Sequence, residues 1–223
     1  MRYVTAAGMR EIERAAIGKY GATAAGLMER AGLAVFEEAL KFADSGDVLV
    51  VCGYGNNGGD GFVVARLLIK RGFDVVAFLA GRPRPFSLET EDNFRLLLGL
   101  GCAPSAVYDT ASLERAFCSL CTVDVVVDAL FGIWIRGRLD ELYARLIDDV
   151  NALGADVTAV DLPSGLDADA GTPCPVAIKA ARTVTFTAAK AGFKNPAAAQ
   201  FTGVVTVADI GVPVAAVEEV LGK

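Results

Sequence analysis

The chain has 223 residues, 53% of them hydrophobic and 22% charged, a net charge of -6 and no histidine. That length buries one good core, and no composition shift suggests a second, so one domain spanning 1–223 is expected. The acidic balance, with no clustered Lys/Arg surface, argues against nucleic acid, and without imidazole any acid–base chemistry falls to carboxylates, lysine, tyrosine or thiol.

At the N-terminus, MRYVTAAGMREIE meets charges before an apolar leader could form. No apolar run approaches the ~18 residues of a membrane span, so a soluble cytoplasmic protein without membrane contact is expected. Residues 6–20 and 24–43 carry apolar side chains at helical spacing, behind Thr5 and Thr23, each able to cap. Beyond them, apolar β-branched runs at 48–51, 75–79, 123–127, 157–160, 183–186 and 204–207 are interleaved with helical patterns at 60–71, 88–98 and 140–153. Runs apolar on both faces and separated by helices predict a parallel sheet covered on both sides. The expected fold is α/β, a Rossmann-like three-layer α/β/α sandwich with a mostly parallel central sheet and two extra N-terminal helices. Of five cysteines only Cys118 and Cys121 form a C-x-x-C, inside the amphipathic segment LERAFCSLC. With no second pair and no histidine for a zinc tetrad, they read as buried structural thiols.

In such sheets ligands bind beyond the carboxyl ends of the strands. Those ends carry GYGNNGGD at 53–60, Asp128 in VVVDALFG, and Asp161 to Ser164 in AVDLPSG. Gly53, Gly55 and Gly58 form G-x-G-x-x-G, alone a weak dinucleotide signal. The acid expected about 20 residues on, closing the second strand, is missing, because that strand ends FLAG and Asp74 sits at its start. An ordinary NAD-dependent dehydrogenase is therefore disfavoured, and a phosphate loop fails for want of its lysine. Backbone N–H groups in a glycine-rich turn favour an anion or hydroxyl, while Asn56, Asn57 and Asp60 add oxygens that suit a cation or sugar hydroxyls. The competing structural reading has Asp60 capping a helix at 60–71 and the asparagines tolerating left-handed angles. For Asp128 and Asp161 it is an acid held by loop amides, since a carboxylate after a buried strand is costly without donors or a metal. D-A-D-A-G at 167–171 lacks the third acid and distal glutamate of a calcium loop and reads as a turn.

GNNGGDG, VVDALFG, VDLPSGLDADAG, K-A-G-F at 190–193 and VADIGVP, with TAAGMREIERAAI and LMERAG upstream, resemble the NAD(P)H-hydrate epimerase family, also called the YjeF N-terminal domain. The likeness covers essentially the whole chain. It implies a Rossmann-like fold, usually a homodimer, that interconverts the R and S forms of hydrated NADH or NADPH. It implies a potassium ion held at Asn57, Asp128 and Ser164. It implies substrate contacts from Asn56, Asn57, Gly58, Gly59 and Asp60, from the loop Gly132, Ile133, Trp134, Ile135, Arg136, Gly137 and Arg138, and from Asp161.

That chemistry agrees with the groups available. Protonating the hydroxyl on the carbon next to the ring nitrogen lets the nitrogen lone pair expel water, leaving a planar iminium open to water on either face. One carboxyl that gives and then takes a proton suffices, and Asp161 is the candidate. Amide, carboxylate and hydroxyl oxygens suit a hard cation. The chain departs from the family at FGIWIRG, where the usual loop is FGTGLRG, so Ile133 and Trp134 replace a hydroxyl and a glycine. Arg30 stands where LMENAG has asparagine. These changes leave an alternative open: a catalytically inactive nucleotide-binding or protein-interaction module of the same fold.

Overall fold

The computed structural model describes residues 2–41, 47–133, 135 and 137–222. In chain order it contains β1 (Tyr3–Val4), α1 (Ala6–Gly18), α2 (Ala24–Leu40), β2 (Asp47–Cys52), α3 (Asn56–Arg71), β3 (Asp74–Ala80), α4 (Leu88–Gly99), β4 (Ser105–Val107) and α5 (Thr110–Cys118). There follow β5 (Val125–Ala129), α6 (Glu141–Ala152), β6 (Asp156–Val160), β7 (Arg182–Phe186), β8 (Ala189–Lys190), α7 (Ala199–Thr202), β9 (Val204–Ala208) and α8 (Val214–Leu221). The two N-terminal helices start where their caps predict: Thr5 accepts from the Gly8 amide and Thr23 from the Gly26 amide, both at 3.1 Å.

Seven strands form one sheet in the order β4-β3-β2-β5-β6-β7-β9, and every pairing in it is parallel. Strand alternation divides the core into two layers. Val48, Val50, Val125 and Val127 face a cluster closed by α1, α2, α3 and α8, whereas Leu49, Val51 and Val126 face one closed by α5 and α6. The three-layer α/β/α sandwich expected from the pattern is the observed architecture. From β2 the chain winds to one side through β3 and β4, then returns to the other through β5 and β6. The crevice opened by that reversal lies past the carboxyl ends of β2 and β5, which is where such folds hold ligands.

Several boundaries differ from the sequence reading. Helix α3 begins at Asn56, four residues before the expected start, with Gly55 as N-cap. Asp60 is therefore inside the helix and does not cap it, and neither asparagine has a left-handed backbone. The signal was hidden because Gly58, Gly59 and Gly61 are poor helix formers, retained here for close packing. A Cβ on Gly58 would collide with the Gly53 carbonyl, and one on Gly61 would press on Ala129 and Cys52. β5 runs two residues further than expected, so Asp128 is part of the strand, in register with Val51 and Ala159. The short elements β1, β4, β8, α7 and α8 carry too few residues to show a period. Cys118 and Cys121 are exposed, because α5 ends at Cys118 and turns those thiols away from the sheet. Residues 42–43, expected to finish the second helix, lie outside the described residues. No helix among the described residues is long and apolar enough to cross a membrane.

The packing of Gly58 yields a test. Gly58→Ala, normally favourable in a helix, should instead destabilise the fold by about 1–3 kcal/mol, read as a lower midpoint in urea unfolding at unchanged slope.

Candidate functional site

Two clusters meet along the crevice. The first is built on Asp128, buried near the end of β5. Its carboxylate accepts from the Ser164 amide at 2.7 Å, from Ser164 Oγ at 2.6 Å and from the Leu130 amide at 3.3 Å. Ser164 Oγ in turn accepts from the Phe131 amide at 2.9 Å, and the Phe131 carbonyl accepts from Asn57 Nδ2 at 2.9 Å. One network thus ties the β5 end, the loop after β6 and the first turn of α3. With Nδ2 committed to Phe131, Asn57 Oδ1 lies on the Gly132 side, where a Cβ on Gly132 would stand 3.5 Å away. Burial pushes the Asp128 carboxyl up to about 6, against the pull of its Ser164 and Leu130 donors. The oxygens of Asn57, Asp128 and Ser164 are all hard donors, the set that fits an alkali or alkaline-earth cation.

The second cluster surrounds Asp161, which immediately follows β6 and has a left-handed backbone, φ 65°. Few residues other than glycine take that conformation, and Asp is among those that tolerate it. Its Oδ1 accepts from Lys190 Nζ at 2.5 Å, Thr185 Oγ1 at 3.1 Å and the Phe186 amide at 3.1 Å. Lys190 is fully buried, and its strand β8 pairs in parallel with β1, Val4 opposite Lys190. That pairing delivers α1 to the same rim.

Two further carboxyls complete the rim. Asp60 is buried in α3 and held well above the usual carboxylate range, first by burial, then by the charges of Asp161 and Glu13. Glu13, on α1, is pushed up to about 7 by desolvation and by Asp161, while Lys190 pulls the other way. It lies four residues after the buried Met9, beside the inward stripe of the helix. Its surface is nonetheless exposed, so solvent screens the charges that act on it. Sequence reasoning missed both Lys190 and Glu13. K-A-G-F was visible as a motif, but nothing local shows that a lysine is buried against an acid 29 residues away.

The other expected residues fall into place unevenly. Asn56 is exposed, and its Oδ1 accepts from Ser87 Oγ at 2.9 Å. Gly58 and Gly59 are buried where α3 packs. Gly132 lies beside Asn57, Ile133 is buried in the larger hydrophobic cluster, Ile135 is half-buried, and Gly137 and Arg138 are exposed. Trp134 and Arg136 lie outside the described residues. Arg30 Nη1 donates to the Ile210 carbonyl at 3.4 Å. D-A-D-A-G is a turn, with Asp167 Oδ1 accepting from the Asp169 and Ala170 amides.

Fold and rim together define a doubly wound α/β protein whose switch-point crevice is walled by oxygen donors and by carboxyls that burial raises above the usual range. Residues 24–192 match the family described as YjeF-related protein N-terminus. The chain is 36% identical over 213 residues to the NAD(P)H-hydrate epimerase of Lentilactobacillus buchneri, covering 94% of each. It is 39% identical over 217 residues to the bifunctional NAD(P)H-hydrate repair enzyme Nnr of Moorella thermoacetica, 96% of this chain but 41% of that protein. It therefore spans under half the length of such bifunctional relatives. A crystal structure of yeast YNL200c superposes with a TM-score of 0.77 at 23% identity, covering 94% of this chain and 88% of that one, a likeness of fold. The chain belongs to the YjeF N-terminal family.

Glu13 gives this site a pH signature. Its folded value lies above its ordinary one, so its contribution favours the folded state at low pH and is lost as pH rises from about 4.5 through about 7. Glu13→Gln should therefore gain stability relative to the parent chain as pH rises across that window, measured by urea unfolding at pH 4.5, 6 and 7.5.

Proposed function

We propose that the chain is an isomerase that epimerises the R and S forms of hydrated NADH and NADPH. The observation that supports it most is the juxtaposition, over one switch point, of Asp161 with the Asn57–Asp128–Ser164 oxygens. Membership of a family with curated epimerases at 34–37% identity supports it independently. On this reading the chain works as one unit.

Asp161 acts through one oxygen. Three donors converge on Oδ1, which leaves Oδ2 as the atom that exchanges a proton. It gives that proton to the hydroxyl on the ring carbon next to nitrogen. Water then leaves as the nitrogen lone pair forms the iminium. A water molecule adds to the opposite face, its surplus proton returns to Oδ2, and the net change is inversion at one carbon. Asp60, whose carboxyl burial holds well above the usual carboxylate range, stands on the same rim beside Asp161. Asn57 at the start of α3 and Gly132 opposite it form the wall nearest the cation cluster.

Asn57, Asp128 and Ser164 would hold potassium, whose charge when bound offsets the buried Asp128 carboxylate and braces the loop after β6. Cytoplasmic location and a homodimer belong to the same proposal.

Two measurements test it. With R-hydrated NADH and an S-specific dehydratase in excess, the chain should accelerate loss of the R form, and Asp161→Asn should lower that rate by roughly 10²–10⁴-fold. An R form lost no faster than without the protein would overturn the assignment. Separately, potassium should raise the melting temperature above that in tetramethylammonium at equal ionic strength. Asp128→Asn should remove the difference.

A further inference from the structure

We infer that Lys190 is the positioning residue that makes Asp161 a single-oxygen proton carrier. The inference deepens the proposed function and rests on it. Lys190 Nζ has its protons directed to Asp161 Oδ1 at 2.5 Å and Thr185 Oγ1 at 2.9 Å, with the Phe186 and Ala188 carbonyls each at 3.5 Å. A fully buried ammonium is costly unless such partners compensate it. The fold also holds strain around it. Thr187, in the turn that supplies those carbonyls, has φ 66°, and its Oγ1 is buried without a hydrogen-bond partner. Asp161 and Thr187 are the two non-glycine residues with positive φ among those described; the first is bonded to Lys190 and the second lies between the two carbonyls that face it. A β-branched residue in that conformation persists only where its surroundings impose it, and such strain gathers at functional sites.

The geometry explains what the strain achieves. A carboxylate free to rotate would present either oxygen, and a proton placed on Oδ1 would point into the sheet. Lys190, Thr185 and the Phe186 amide occupy Oδ1, so Asp161 keeps one orientation and the proton moves at Oδ2. Thr185 and Phe186 sit on β7, whereas Lys190 is carried by β8 and locked by β1. The first strand of the chain therefore helps fix the catalytic carboxylate.

The test is chemical rescue. Lys190→Ala should lower kcat by roughly 10²-fold, within the range of general acid–base contributions, with KM little changed, and added methylammonium should restore part of kcat. Asp161→Asn should show no rescue. A folded alanine variant with parental kcat, or a loss that no small amine restores, would overturn the inference. If the alanine variant does not fold, Lys190→Arg retains the charge but displaces the donor atom. Its kcat should fall by up to roughly 10²-fold, the cost of about 1 Å of misplacement, and a parental value would overturn the inference. The parent chain in the same assay tests the epimerase reading itself, while the ratio of variant to parent tests Lys190.

Discussion

Asp128 is a carboxylate buried in a strand of a parallel sheet, a placement that costs several kcal/mol for an ionised group without compensation. Its two oxygens take the amide and hydroxyl of Ser164, and through Ser164 they fix Phe131 and then Asn57. Three segments far apart in sequence, around Asn57, Asp128–Phe131 and Ser164, are thereby held at one place, and the loop that carries Ser164 also carries Asp161 three residues earlier. Everything proposed for the crevice depends on that bridge between β5 and the loop after β6. Proline at 163 and the left-handed glycine at 165, φ 91°, stiffen the same loop.

The electrostatics of the rim follow from crowding acids where water is scarce. Glu13, Asp60 and Asp161 act on one another, and each added negative charge makes the next proton harder to lose. A single buried ammonium, Lys190, opposes them. Carboxyls raised by burial thus stand beside one paired with a buried ammonium, a grouping suited to reversible protonation of a hydroxyl in a chain without imidazole. An inactive binding module would have no need of this arrangement. That alternative drew its support from Trp134, which lies outside the described residues.

The architecture was legible because short apolar β-branched runs alternate with helical periods, and because Thr5 and Thr23 mark helix starts chemically. The oxygen donors at the strand ends were legible for a similar reason: polar residues abutting buried strands stand out. Asp60 was misread because a helix opening NNGGDG does not look like a helix until its tight packing on Gly53, Met28 and Ala129 is seen. Lys190 and Glu13 were missed for a deeper reason. Each is an ordinary residue locally, and each acquires its role through the β1–β8 pairing, a contact across some 186 residues that no short-range pattern encodes.

The most direct test is the crystal structure of the chain grown with thallium(I), a heavy substitute for potassium, and soaked with hydrated NADH. The account predicts an anomalous peak among the oxygens of Asn57, Asp128 and Ser164, and the hydroxylated ring carbon within reach of Asp161 Oδ2. A peak elsewhere, or a ring bound away from Asp161, would contradict it.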